Sequence, residues 1–286
     1  MTNIKSRYIF FLMLALKASI VAWLLWEFFH SPDWRDFVFD DQFWLFVLAG
    51  FIAQMIDGAL GMAYGVSCTS FLLQLGVPPA VASASVHTAE VFTTGVSGIS
   101  HLYLGNVDKK LFIRLVIPGV IGAMLGAFLL SEILSGHLVK PFIAGYLLIL
   151  GILILIKAFR EPLFKDEIKN VSPLGFFGGL LDAIGGGGWG PIVTSNIIRK
   201  GKTPALTIGT VNTAEFFVAF ASTGVFLFFL GMDAWKILLG LIIGGIIAAP
   251  LGALFVRYVK PRVLMLIVGV VIIIVSTYTI WKAIGH

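Results

Sequence analysis

Charge is what this chain has least of. Only 12% of its 286 residues are Asp, Glu, Lys or Arg, against ~25% in a globular domain. Long polar stretches are missing too: apolar runs and short loops use nearly all of the length, leaving no room for a separate soluble domain. Cys68 is the one cysteine, which excludes an intrachain disulfide and a cysteine metal cluster. With 58% hydrophobic residues and a mean hydropathy of +0.99, the chain reads as an all-α integral membrane protein whose constant partner is the lipid bilayer. Its net charge of +5 does not point to nucleic acid. The basic residues stand at the ends of apolar runs, where orientation in a bilayer puts them.

The first apolar run, Ile9 to Phe29, is interrupted only by Lys17 and Glu27 and is long enough to span. It has no small-x-small cleavage site where Trp23-Leu24-Leu25-Trp26 stands, so an uncleaved transmembrane helix is expected rather than a signal peptide. Lys17 near its middle either faces a partner helix or marks a span that starts later. Further apolar runs cover roughly 43–75, 79–104, 111–135, 139–159, 173–198, 204–230, 235–256 and 262–281.

What the chain does have, it has twice. Gly50 to Asp108 align without a gap onto Gly175 to Asp233, at a constant offset of 125 residues. Asp57 matches Asp182, Gly61 and Gly65 match Gly186 and Gly190, Pro79 matches Pro204, and Thr88-Ala89-Glu90 matches Thr213-Ala214-Glu215. Two apolar halves broken at corresponding Gly-rich points are the sequence pointer to a transporter with its site at the repeat interface. The division expected is an N-terminal helix and outer loop (1–42), a first repeat (43–160) and a second, inverted repeat (161–286).

Lys and Arg collect on the cytoplasmic side, and this decides how the broken segments run. With a cytoplasmic N-terminus and both broken segments re-entrant, fifteen Lys and Arg lie inside and four outside, Lys17 being left uncounted. If both segments span, the count is nine inside and ten outside. Each copy is thus expected to be a re-entrant Gly-broken helical hairpin followed by three transmembrane helices, with one extra helix at the N-terminus. Three crossings separate the hairpins, so they enter from opposite faces, and the C-terminus lies outside.

The breaks read DGALGMAYG from Asp57 and DAIGGGGWG from Asp182. Glycine permits close backbone approach, and a helix start beyond such a turn offers free N–H groups that suit an anion. Substrate contacts are expected at Gly58, Gly61, Tyr64 and Gly65, at Gly185, Gly186, Gly187, Gly188 and Trp189, and at Thr88, Asn212 and Thr213 on the following helices. The bland alternative is that these glycines only let helices pack closely. Ser83, His87, Glu90, Thr94, Ser97 and His101 are spaced 4, 3, 4, 3, 4 and share one helical face. Ionisable groups on a membrane helix are functional candidates, so His87, Glu90, Glu215, Asp57 and Asp182 are the proton-coupling candidates. Asp57 and Asp182 could instead cap the helix that follows each break. No cofactor is implied. A metal site of His87, Glu90 and His101 is geometrically poor, since His101 lies about 21 Å along the axis from His87. Ser83, Ser97 and the two His share one helix and form no hydrolase, so an enzyme is not expected.

The paired hairpins, the G-x-x-P-A stretches at Gly76 to Ala80 and Gly201 to Ala205, and GGGGWGPIVT at Gly185 to Thr194 resemble the TauE/SafE sulfite exporter family, also called the 4-toluene sulfonate uptake permease group. In the first copy Leu60, Met62 and Ala63 stand where the second has glycine. The resemblance implies transport of a small sulfur-containing oxyanion, sulfite or an organosulfonate, across the inner (plasma) membrane. The alternative is a transporter or channel for another small carboxylate or inorganic anion. A homodimer is admitted as a partner state.

The topology carries its own test. In a Cys68→Ser background, single cysteines at Asp41 and Val77 are expected to label from the same outer face; labelling from opposite faces would remove the first re-entrant hairpin.

Overall fold

The computed structural model describes residues 4–30, 38–60, 62–134, 136–159, 171–198, 204–231, 234–255 and 261–284. Among these there is no strand and nearly everything is helix, since a helix satisfies its own backbone groups where no water can. The chain opens with α1 (Ile4–His30). The helices α2 (Asp41–Leu60) and α3 (Tyr64–Gln74) flank the first break. Then come α4 (Pro79–Tyr103), α5 (Lys109–Phe128) with a wider π turn at Leu129–Ile133, and α6 (Gly136–Phe159). The second copy has α7 (Val171–Gly185), a π turn at Gly190–Thr194 leading into the short α8 (Ser195–Ile198), α9 (Pro204–Leu230), α10 (Trp235–Phe255) and α11 (Pro261–Ile284). Shifted by 125 residues, α2 corresponds to α7, α4 to α9, α5 to α10 and α6 to α11.

Five described helical stretches are long and apolar enough to cross a membrane: Arg7–His30, Lys109–Ile133, Val139–Phe159, Leu206–Leu230 and Arg262–Lys282. At 25 residues α4 equals them in length, and its polar stripe is what lowers its hydropathy. Exposed rows such as Ile113, Ile117 and Ile121 on α5, or Ile267, Val271 and Ile274 on α11, repeat at helical spacing. Such rows suit lipid, not water. Lys17 lies inside α1 and faces a partner: its ammonium donates to the Phe92 carbonyl at 3.3 Å and stands 5.7 Å from the Phe92 ring centre.

The two copies are interleaved. The broken helix of each packs on a helix of the other, α2 on α10 and α7 on α5. Both pairs run parallel. Gly175 faces Leu115, Gly179 faces Gly119, and Gly126 faces Leu180 and Ala183. In the other pair Asp40 meets Lys236 at 2.6 Å, and Val47 and Phe51 meet Gly244 further along. The hydrogen bond from Lys236 is the foremost cause that holds the Asp40 carboxyl below its ordinary range. By contrast α4 and α9 cross antiparallel, Gly98 against Thr213 and Gly95 against Phe216, as do α6 and α11, with Gly151 against Ile272 and Gly269 against Leu155.

These contacts fix where elements begin. Asp108 caps α5 by accepting from the N–H groups of Lys110 and Leu111 at 3.0 and 3.1 Å, and its own N–H donates to Thr210 near the start of α9. The first turns of α7 lie beside Leu115. So α5, α7 and α9 all begin at one end of the molecule. At the other end α9 finishes, α10 begins, and Asp40 ties the start of α2 to Lys236.

The parallel pairs depend on missing side chains. A Cβ on Gly122 would overlap the carbonyl of Phe176 and come within 3.0 Å of the Leu180 nitrogen, whereas one on Gly145 would meet nothing within 4 Å. Gly122→Ala is expected to destabilise by about 1–3 kcal/mol, the range for overpacking, and Gly145→Ala to leave the melting temperature within experimental scatter. Thermal unfolding of the two variants in detergent makes the comparison.

Candidate functional site

Each break is closed by its own aspartate. In the first, Ala63 takes a left-handed φ of 96° before α3 begins, and Asp57 Oδ1 accepts the N–H of Tyr64 at 3.4 Å. In the second, Gly186, Gly187 and Gly188 have φ of 67°, 147° and 152°, and Asp182 Oδ1 accepts the N–H of Trp189 at 2.8 Å. Both aspartates reach seven residues ahead, at equivalent positions of the two copies. The capping role open to these aspartates is present in both.

The two breaks touch. A Cβ on Gly187 would overlap the backbone of Gly65 and Val66, and one on Gly190 would come 2.8 Å from the Met62 Cβ. The Thr69 hydroxyl donates to the Gly186 carbonyl. Tyr146 of α6 lies across the turn, so close to Gly185 and Gly188 that neither could carry a side chain. In this arrangement the glycines let backbone meet backbone. Gly61 lies outside the described residues; Gly58 sits in α2, and its surroundings are not described.

Beside this junction stands a buried polar cluster. His87 Nε2 lies 3.1 Å from Asp182 Oδ2, with side chains 0% and 2% exposed. Its Nδ1 lies 2.8 Å from the Ser83 carbonyl. A carbonyl only accepts, so Nδ1 carries a hydrogen while Nε2 faces the Asp182 carboxyl. Glu90 adds a third group: ligand atoms of His87, Glu90 and Asp182 all lie within 4.8 Å of one another. Glu90 Oε1 borders Gly65, while Oε2 is buried with no hydrogen-bond partner. Although His87 and Glu90 lie on one face of α4, His87 turns to Asp182, which reaches it from the other copy. Carboxylates so placed repel one another and any anion brought beside them, unless positive charge arrives with it.

The flanking helices contribute less directly. The hydroxyls of Thr88 and Thr213, at equivalent positions, donate to their own helices at Ala84 (2.7 Å) and Gly209 (2.6 Å). Asn212 donates to Ser97 at 3.0 Å across the α4–α9 crossing. Trp189 is fully buried; its indole packs where Gly119 leaves space and its Nε1 donates to Val211 at 3.3 Å. Tyr64 is buried at the start of α3, and Glu215 is half-buried on α9. His101 lies away from the cluster, 3.5 Å from Asn106.

Sequence reasoning missed three residues. Lys157, counted only as a topology marker, brings its ammonium to 3.0 Å from Met62 Sδ in the first break, so a basic side chain does reach the breaks. Tyr146 and Thr69 close the junction. Thr69 has a matching Thr194 in the second copy, which was a readable signal. Lys157 and Tyr146 lie beyond the aligned segment and left none.

The two aspartates are unequal, and that is measurable. Asp182→Ala removes both a cap and the partner of buried His87, and is expected to cost about 3–5 kcal/mol. Asp57→Ala removes one long cap bond and is expected to cost about 0.5–2 kcal/mol. Parallel thermal melts would contradict the assignment if the two losses were equal.

Comparison with known proteins follows the same lines. The family described as "Sulfite exporter TauE/SafE" matches residues 46–279. The chain is similar to "Probable membrane transporter protein YtnM" of Bacillus subtilis (strain 168), with 47% identity over 246 residues covering 82% of both chains. It is also similar to "Probable membrane transporter protein ORF9" of Sinorhizobium sp, with 26% identity over 269 residues, 88% of this chain and all of the other. No solved structure matches it. With several helices able to cross a bilayer and a family match over most of its length, the chain belongs to the sulfite exporter TauE/SafE family of multi-pass membrane transporters.

Proposed function

We propose that the protein is a secondary transporter that carries a small sulfur-containing oxyanion, sulfite or an organosulfonate, by alternating access at the junction of its two Gly-rich breaks. The observation that carries this reading is the meeting of the breaks, Gly65 against Gly187, beside the buried His87–Asp182–Glu90 cluster. In the bilayer α2–α3 and α7–α8 are re-entrant hairpins and the repeats are inverted. Support comes from α7 and α9 starting at the same end, beside α5, while α2 is tied to α10 at the opposite end. The N-terminus is cytoplasmic and the C-terminus outside.

Substrate enters as the breaks part, so that amides of Gly65, Gly186 and Gly187 and the side chains around them face the anion. Buried carboxylates and an anion cannot share this space bare. The anion therefore travels with protons, held by Glu90 with His87 as partner; Asp57, Asp182 and Glu215 are the further acidic sites on the route. The chemistry of the breaks also suits another small anion, and the ligand panel below separates the two.

A thermal-shift screen with sulfite, thiosulfate, sulfoacetate, taurine and simple carboxylates tests the substrate. A ligand at a hundred times its Kd should stabilise by about 2.7 kcal/mol, and the sulfur oxyanions are expected to lead. In proteoliposomes with clamped voltage, Glu90→Gln is expected to lose the response of flux to an imposed pH gradient. A response equal to that of the native protein would make Glu90 structural and move the proton route to Asp57, Asp182 or Glu215.

A further inference from the structure

We infer that His87, Glu90 and Asp182 form a binding site for one divalent transition-metal ion of the zinc class. The residues come from both copies, His87 and Glu90 from α4 and Asp182 from the end of α7, so the ion would join the two halves of the fold. Sequence spacing counts against a metal only for His87, Glu90 and His101. The fold replaces the distant His101 by Asp182, which the chain places 95 residues from His87.

Four observations carry the assignment. The first is the donor set: one imidazole nitrogen and two carboxylates, a combination that suits Zn2+ or its first-row neighbours better than Mg2+ or Ca2+, which prefer oxygen alone. The second is distance. Ligand atoms around a tetrahedral ion with bonds of about 2.1 Å lie roughly 3.4 Å apart. Here His87 Nε2 and Asp182 Oδ2 are already 3.1 Å apart, and all three ligand atoms lie within 4.8 Å. Closing the Glu90 side needs a shift on the order of 1 Å, which one rotatable side chain supplies.

The third observation is the outer shell. A metal-bound histidine usually donates its other ring N–H to a carbonyl, and a bound carboxylate is itself hydrogen-bonded. His87 Nδ1 is held by the Ser83 carbonyl at 2.8 Å, and the far oxygen of Asp182 by the Trp189 N–H at 2.8 Å. The nitrogen and the oxygen left over are the two that face each other. The fourth is Glu90 Oε2, buried on a side chain only 3% exposed and without any hydrogen-bond partner. An unsatisfied buried carboxylate oxygen is costly, and an ion beside it satisfies it. Two carboxylates and a neutral imidazole around a divalent ion sum to zero charge, the condition that burial in a bilayer favours.

Once the ion is bound Glu90 and His87 are ligands and carry no exchangeable proton, so the proton route proposed above belongs to the metal-free form; which anion is carried does not enter, and the test involves no transport. The full chain, purified in detergent and stripped with chelator, is titrated with Co2+ and then Zn2+. The native protein is expected to take up one Co2+ with visible d–d absorption of a four-coordinate site, displaced by Zn2+, and to gain thermal stability with Zn2+. Glu90→Gln, which removes an oxygen that has no partner, is expected to fold normally and bind at least about tenfold more weakly. His87→Gln, melting as a folded protein, is expected to lose the spectrum. Absence of one-to-one binding by the native protein would overturn the site, and so would Co2+ affinity unchanged in Glu90→Gln. Binding with failed sulfite stabilisation would leave the metal site standing and count against the transport reading alone.

Discussion

Everything at the centre of this protein depends on an aspartate that reaches across a break. A helix interrupted inside hydrocarbon exposes N–H groups that no water can satisfy. Asp57 and Asp182 each accept the N–H seven residues ahead, so the chain can leave a helix, turn through left-handed backbone at Ala63 or at Gly186 to Gly188, and start again. Once the turns are closed, their missing side chains let Gly65 and Gly187 meet. The parallel packing of α2 on α10 and α7 on α5 holds the two breaks against each other.

The same aspartates create the electrostatic problem that function has to use. Asp182 is a cap on one oxygen and the partner of His87 on the other, and Glu90 adds a further carboxyl beside it. Asn212 in place of His87 breaks the symmetry in the second copy: it donates to Ser97 and has no charge to offer. The chemistry is thereby concentrated on α4. A site rich in carboxylates is a poor home for a bare anion, which is why the proposed cycle couples the anion to positive charge. Lys157, close to Met62, adds a cation at the edge of the first break.

Much of this was legible in residues. The offset of 125 exposed the two copies, the stripe from Ser83 to His101 marked the face of α4 that is turned inward, and of the two alternatives for Lys17 the partner helix was the one found. The aspartates could be named as caps because a helix start beyond glycine needs an acceptor. What stayed hidden was which inward faces meet. Periodicity identifies a face but carries no information about its partner, so the His87–Asp182 pair, made between the copies, could not be read. Likewise Trp189 and Gly119 are complementary in shape only once α7 lies along α5, and Tyr146 closes the second turn from a helix outside the aligned segment. The choice between glycines that bind and glycines that pack was also beyond pattern: the positions are identical in both readings.

The central claim is that the two breaks meet and must part for a substrate to pass. It is tested most directly by joining them. Met62 and Gly190 face each other, and a Cβ on Gly190 would fall 2.8 Å from that of Met62; a disulfide needs roughly 3.5–4.5 Å between these atoms, so the bond forms once the breaks have parted by about 1 Å and then holds them there. In a Cys68→Ser background, Met62→Cys with Gly190→Cys is expected to form an intramolecular disulfide under mild oxidation. Sulfite flux in proteoliposomes should stop when it forms and return on reduction. A pair that never cross-links, or a cross-linked protein that still transports at the native rate, would contradict the account.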